Sequence, residues 1–270
     1  MEVVITSEVG KKWEGSFKKY GEKYSTKFFD AKFYKKFLDS EYIKKIIDNV
    51  SLSSDAKILE AGCGSGKFSI CFAIMGFNVV AMDFSGSICK NLKELVKEAQ
   101  RSHNIEIEVV RGDLEKLCFK DDTFDLVFNE GVVEHWLNRE ERINVIKEMA
   151  RVTKKGGYVA IIVPNGRHPL HKFWIKTGYP GYKAPPMTLY DTKSLKNDIE
   201  RAGLKCVFTD GLYPWSSLSQ WPTNKLLRLI SGALNRFVPL PKSLREKFGV
   251  HLICIGKKVK SNVNIGGSLK

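Results

Sequence analysis

Apolar and polar positions along the middle of the chain alternate between two periods. Ala56–Glu60 is a short apolar run that ends in glycines, and Phe68–Met75 then reads as a buried helix closed by Gly76. Asn78–Asp83 predicts a second strand, Gly86–Ser102 an amphipathic helix, Ile105–Val110 a third strand and Phe124–Asn129 a fourth. Asn138, with Glu141 three residues on, has the spacing of a capping box for a helix that reaches Val152 and is ended by Gly156-Gly157. Tyr158–Val163 is a fifth strand stopped by Pro164. Strands alternating with helices imply an α/β fold built on a parallel, doubly wound sheet.

Beyond Pro164 the rhythm breaks through a stretch rich in Pro, Gly, Tyr, Trp and His, so 165–190 reads as an insertion. Asp191 then caps a helix closing at Gly203, and Lys205–Thr209 and His251–Ile255 read as sixth and seventh strands. The resulting division is an N-terminal helical cap (1–50), a core (51–164), the first insertion (165–190), a core helix and strand (191–213), a second insertion or lid (214–248), a final strand (249–260) and a tail (261–270). In the cap, Trp13, Phe17, Tyr20, Tyr24, Phe28 and Phe29 interleave with lysines. In the second insertion Leu226, Leu227, Leu229, Ile230, Ala233, Leu234 and Phe237 share one helical face opposite Lys225, Arg228, Asn235 and Arg236. That face either packs on the core, as most do, or lies on an anionic membrane and delivers a lipid-like substrate.

The first strand runs straight into Glu60-Ala61-Gly62-Cys63-Gly64-Ser65-Gly66, a turn where glycine supplies positive φ and a backbone that a ligand can touch. Such a turn suits a nucleotide-like molecule, and a dinucleotide fold also places glycines there. Three features separate the two. Glu60 is an acid where pyrophosphate would be repelled but an amino group and a sulfonium would be welcome. Lys67 stands where the dinucleotide pattern wants its third glycine. Asp83 ends the second strand, where a carboxylate can accept from ribose hydroxyls.

Leu59–Gly66, Asp83-Phe84-Ser85, Gly112-Asp113-Leu114, Phe124–Glu130 and Lys155-Gly156-Gly157 together resemble, in order and spacing, the motifs of class I S-adenosylmethionine-dependent methyltransferases, particularly the small-molecule type 11 group. The resemblance covers residues 50–165 well and extends weakly to about 259. It implies a Rossmann-like sheet of seven strands, the last inserted antiparallel beside the fifth, with S-adenosylmethionine as cofactor and S-adenosylhomocysteine as product. It further implies that Glu60, Gly62 and Gly64, with Ala61, Cys63 and Gly66 around them, line the methionine part. Asp83, with Phe84 and Ser85, would hold the ribose, Gly112, Asp113 and Leu114 would meet the adenine, and Asn129, followed by Glu130 and Gly131, would sit under the methionyl moiety. Tyr20 is a further candidate contact from the cap. The acceptor is expected to be a nucleophilic O, N, S or C atom of a small or amphiphilic molecule. Where that atom carries a proton, His135 in Glu130-Gly131-Val132-Val133-Glu134-His135-Trp136 is the candidate base, its bland role being to orient the loop. His168 and His171 are further candidates.

Charge changes this picture little. The 270 residues carry 44 basic and 30 acidic side chains, a formal +14, and the excess is C-terminal: +3 over residues 1–50, −5 over 51–150 and +16 over 151–270. Such a field attracts nucleic acid, anionic lipid or an acidic small molecule. Nothing resembles a helix-turn-helix, zinc finger or RNA-recognition motif, so a nucleic-acid partner is not expected. No apolar run spans a bilayer and the N-terminus lacks the order of a secretion signal, so the expected location is cytoplasmic, with peripheral membrane contact an option. The six cysteines have no pairing or metal-ligand spacing and read as reduced, and no metal site is expected. The alternatives are an NAD(P)-dependent oxidoreductase and a non-catalytic cofactor-binding protein that docks on membrane or nucleic acid.

Overall fold

The computed structural model describes residues 30–169, 173, 186–216 and 225–259. Tyr20 and the other aromatics of the first 29 residues, His171, the aromatics and lysines of 174–183, Trp221 and the tail lie outside the described residues.

Among the described residues two short helices come first. Asp30 accepts from the Phe33 backbone N–H at 2.7 Å and starts α1 (Ala31–Leu38), and Ser40 caps α2 (Glu41–Ile47) in the same way. They present aromatics to the core. The Phe37 and Phe68 rings are 4.9 Å apart edge to face, and Tyr42 meets Phe68 at 5.7 Å.

The doubly wound core follows as β1 (Lys57–Ala61), α3 (Lys67–Ile74), β2 (Asn78–Asp83), α4 (Gly86–Gln100), β3 (Ile107–Arg111), β4 (Phe124–Glu130), α5 (Arg139–Val152) and β5 (Thr153–Pro164). Then come α6 (Thr192–Arg201), β6 (Lys205–Leu212), α7 (Lys225–Phe237), α8 (Lys242–Phe248) and β7 (His251–Lys257). The seven strands lie in the order β3-β2-β1-β4-β5-β7-β6. All pairs are parallel except those of β7, which runs antiparallel between β5 and β6. The sequence expectation for the sheet therefore holds, including the reversed last strand.

Alternation along the strands sends side chains to two cores. Ile58, Leu126, Phe128 and Ile255 face α1–α3, and Leu59, Val127, Val159 and Cys254 face α5 and α6. One boundary differs from the sequence reading: β5 begins at Thr153 and not at Tyr158, so Gly156-Gly157 lies inside the strand and is not what ends α5. The helix stops at Val152, where the backbone turns extended at Thr153, whose hydroxyl and N–H both donate to the Met149 carbonyl. The two glycines lie inside β5 because it crosses β4 closely there: a Cβ on Gly157 would sit 2.7 Å from the Asp125 carbonyl oxygen.

Candidate functional site

The candidate residues gather where β1, β2, β3 and β4 end, on the edge of a parallel sheet where ligand sites form. At the end of β1 the backbone N–H groups of Gly62 and Cys63 both donate to the Met82 carbonyl, at 2.8 and 2.9 Å, fastening the turn to β2. Gly66 has φ +67, and a Cβ there would overlap the Leu92 side chain, so only glycine lets α3 start at this point. Gly64, also at positive φ, is different: a Cβ built on it meets no atom within 4 Å. The turn is thus packed tightly on one side and open over Gly64.

Asp83 closes β2 nearly buried. One carboxylate oxygen accepts from the Gly64 N–H at 3.0 Å and the other from the Ser85 N–H at 3.0 Å. Burial pushes its carboxyl above the usual range despite those two donors. Ser85 caps α4 and Phe84 is partly exposed beside it, its carbonyl held by Arg111 Nε at 2.9 Å. One strand along, Gly112 N–H donates to the Asp83 carbonyl at 3.0 Å, which places Asp113 next to the ribose candidate. Asp113 accepts from the Glu115 N–H with one oxygen, and its other oxygen is buried with no partner. Leu114 packs into the α5 face of the core.

Glu60 is not a free anion at the mouth of the turn. Its carboxyl is buried, one oxygen accepts from both the backbone N–H and the hydroxyl of Ser69, and burial pushes it up to about 8. Ala61 and Cys63 are buried too, and the Cys63 thiol is pushed well above its ordinary value, which leaves it unreactive. Asn129 lies at the end of β4 but faces α5, its amide nitrogen 4.0 Å from the Met149 sulfur and its amide oxygen unpartnered. Glu130 instead points toward the glycine turn, 3.4 Å from Lys67 Nζ, and Gly131 N–H ties the following loop to the Ile162 carbonyl at 2.9 Å.

That loop passes through a single 3-10 turn, Val133–His135. His135 Nδ1 lies 3.3 Å from the Pro186 carbonyl, and the Gly131 backbone also hydrogen-bonds the ring. Burial lowers its pKa, so the ring is neutral at pH 7. Nε2 sits 4.0 Å from a Glu134 oxygen. His168 is buried beside Asn165.

Two further features of this loop were not visible in the sequence. Glu134 is completely buried, its carboxyl pushed up to about 8 by that burial, and one of its oxygens has no partner. Arg142 of α5 donates to the carbonyls of Trp136 (2.6 Å) and Leu137 (3.2 Å) and to Thr188 Oγ1 (3.0 Å), while pairing with buried Asp198 at 3.3 Å. It fixes the loop after β4 against α6. Contact order hides both, because the partners lie 46 and 56 residues away from Arg142.

The donor set fits the cofactor that the resemblance implies. The open backbone over Gly64 gives it room, Asp83 retains lone pairs for two vicinal hydroxyls, and the unpartnered buried oxygen of Asp113 suits an exocyclic amino group. Among the described residues no cluster of His, Cys, Asp and Glu is arranged to hold a metal ion.

Comparison with known proteins agrees. A family model described as "Methyltransferase domain" matches residues 59–161. The chain is 33% identical over 106 residues to a probable tRNA methyltransferase 9B of Mus musculus, covering 39% of this chain and 21% of that protein. It is 34% identical over 102 residues to a malonyl-[acyl-carrier protein] O-methyltransferase of Buchnera aphidicola, covering 38% and 37%. Among solved structures, a SAM-dependent methyltransferase from Aquifex aeolicus superposes with a TM-score of 0.55 at 16% identity, over 86% of this chain and all of that one, which shows the shared fold. The chain spans between about a fifth and two fifths of the length of the curated relatives it matches.

Proposed function

We propose, from the premise that residues 59–161 form an S-adenosylmethionine-dependent methyltransferase domain, that this chain moves a methyl group to a nucleophilic atom of a small or amphiphilic acceptor. The observation that carries the reading is the pairing of Asp83, whose carboxylate grips the open glycine turn, with Asp113, whose buried oxygen lacks a partner one strand away. Bound there, the cofactor supplies a methyl already activated on a sulfonium, so no covalent enzyme nucleophile is needed.

The work left to the protein is positioning. Asp83 orients the ribose, Asp113 the adenine edge, and the backbone from Gly62 to Gly66 cradles the amino-acid end. Glu60 and Glu134 bring two carboxyls that lose protons readily once a cation approaches, because neutralising a buried anion relieves its desolvation. Glu130, paired with Lys67, closes the wall between the glycine turn and β4. Where the acceptor atom carries a proton, His135 is the residue placed to take it. The insertions at 165–190 and 214–248 follow β5 and β6, whose carboxyl ends lie on this same edge, and they serve as the lid that excludes water and selects the acceptor.

The relatives' acceptors are not carried over. The matched stretches cover at most 44% of this chain in the relatives named for acyl-carrier-protein methylation and 39% in those named for tRNA. Calorimetry with S-adenosylmethionine, S-adenosylhomocysteine and NAD(P) tests the core of the proposal. Saturable heat from the first two and none from NAD(P) is expected, and the reverse would overturn it. Transfer of labelled methyl to a panel that includes fatty-acyl, phenolic and tRNA acceptors then identifies the substrate class.

A further inference from the structure

We infer that the α7–α8 hairpin is a docking surface for an anionic lipid bilayer. The inference stands apart from the assignment of the reaction. A surface helix ordinarily turns its apolar stripe to the core and its polar side to water. In α7 most of the stripe faces outward: Leu226 is 61% exposed and Leu229 and Phe237 are each 72% exposed, whereas Ser231 is 3% exposed and only Leu227 and Leu234 of the apolar set are half-buried beside it. The seating contacts are polar, with Asn235 accepting from the Trp215 N–H at 3.0 Å and donating to Ser216 Oγ at 3.0 Å. Ile230 and Ala233 are exposed on the same stripe, and Val238 and Leu244 continue it across the turn into α8. The result is a row of large apolar side chains held outward by hydrogen bonds, which is the wrong arrangement for a helix whose partner is water.

Charge identifies the occupant. Over residues 225–248 the sequence contains six basic residues and one acidic one, Glu246, which lies 3.7 Å from Lys242. Arg236 and Lys242 are exposed beside the apolar row. A basic amphipathic helix with Leu and Phe on its apolar side is the combination that binds at a bilayer surface, with apolar side chains below the headgroups and cations among anionic phosphates. A second copy of this chain would satisfy the apolar row but bring one basic surface against another. Trp215 stands at the base of the hairpin with its indole N–H donating to the Val238 carbonyl at 3.1 Å, leaving an amphipathic ring at the level an interface would occupy.

The surface is rigidly mounted. Arg245 of α8 grips Asp210 of β6 through two bonds of 2.8 Å, and Lys45 of α2 adds a third at 2.7 Å. Although burial pushes the Asp210 carboxyl up, these two cations hold it below the usual range. The hairpin springs from the end of β6, on the sheet edge that carries the glycine turn. A docked bilayer therefore lies on the side from which an acceptor would enter.

Cosedimentation with phosphatidylcholine vesicles, with and without a third of the lipid as phosphatidylglycerol, tests this. The wild-type chain is expected to pellet with the anionic vesicles at low salt and at least about tenfold less with neutral ones, about 1.4 kcal/mol. The double variant Leu229→Asp/Phe237→Asp should lose that binding, and Arg236→Glu/Lys242→Glu should lose it too. Val207→Asp, a charge placed on an exposed apolar residue of β6 away from the hairpin, should bind as wild type. All altered side chains are exposed, and circular dichroism melts confirm that the fold persists. Should one double variant fail to fold, the other decides. Equal pelleting of wild type and both double variants, or no pelleting of wild type, would overturn the inference. So would a wild-type dimer in light scattering that Leu229→Asp/Phe237→Asp dissolves, since a second copy would then own the surface.

Discussion

Replacing Asp83 by Asn separates cofactor recognition from folding. In the native structure the two Asp83 oxygens accept from Gly64 N–H and Ser85 N–H, each at 3.0 Å. An asparagine keeps one acceptor for Ser85 but turns an NH2 group toward the Gly64 N–H, so donor faces donor and the open arm of the glycine turn loses its tether. A charged hydrogen bond of this kind contributes about 1.5–3 kcal/mol. The variant also sheds the burial penalty that holds the Asp83 carboxyl above its usual range, and this offsets most of the loss. Net destabilisation should therefore be small, about 1 kcal/mol. Cofactor affinity has no such offset. The ribose hydroxyls lose a charged acceptor and the turn loses its shape, so the dissociation constant for S-adenosylmethionine should rise about ten- to a hundredfold. Calorimetry on Asp83→Asn beside a thermal melt reads both quantities. A folded variant with an unchanged dissociation constant would refute the reasoning and remove Asp83 from the site.

Gly66→Ala must hold φ at +67 and push against Leu92; it should cost about 2–4 kcal/mol in thermal unfolding and weaken cofactor binding as α3 shifts. Arg142→Ala leaves Asp198 short of one partner and frees the carbonyls of Trp136 and Leu137; a loss of about 3 kcal/mol in chemical denaturation is expected, and Arg142→Lys should not restore it because a lysine cannot span the same fork. Glu60 and Glu134 are both pushed up to about 8 from 4.5, so the folded state binds their protons more tightly than the unfolded chain. Their contribution to stability is complete below pH 4.5 and erodes as pH rises to about 8, so the ligand-free protein should melt lower at pH 9 than at pH 6, and Glu134→Gln should flatten that dependence. A melting temperature that rises with pH over this range would contradict the burial argument.

The glycine turn and Asp83 were legible because their chemistry and their fold demand are the same: a residue that lets backbone approach a ligand also breaks a strand. The reversed β7 was legible chiefly through resemblance, since His251 leads into four buried residues, Leu252–Ile255, whose direction no periodicity encodes. Gly156-Gly157 misled for a related reason. A glycine pair after a helical pattern reads as a helix stop, yet α5 stops at Val152 where Thr153 turns extended, and the glycines serve the close approach of β5 to the Asp125 carbonyl. A sequence displays which residue lacks a Cβ but not which neighbour needs the space. Glu134 was quoted within its motif yet not singled out, because a carboxylate among Val132, Val133, His135 and Trp136 looks like any loop acid until its burial is known.

Helix α7 shows where such reading stops. Spacing alone placed Leu226, Leu227, Leu229, Ile230, Ala233, Leu234 and Phe237 on one stripe, and the structure splits it, half-burying Leu227 and Leu234 and exposing the rest. Periodicity cannot say which side of a helix meets the protein; that depends on what the rest of the fold offers. The polar anchors Asn235 and Ser231 are too few to mark a buried side in sequence, but they are spaced by four, as neighbours on a helix face must be, and they align with Trp215 and Ser216 at the exit of β6. Two hydrogen bonds at that seat contribute about 1–3 kcal/mol, while leaving Leu229 and Phe237 in water forgoes about 1.5–3 kcal/mol for each side chain that could be buried. The polar seat alone does not balance that loss. The excess is what a bilayer would return, and the predominance of six cations over the single acid Glu246 across residues 225–248 is what lets an anionic one return it.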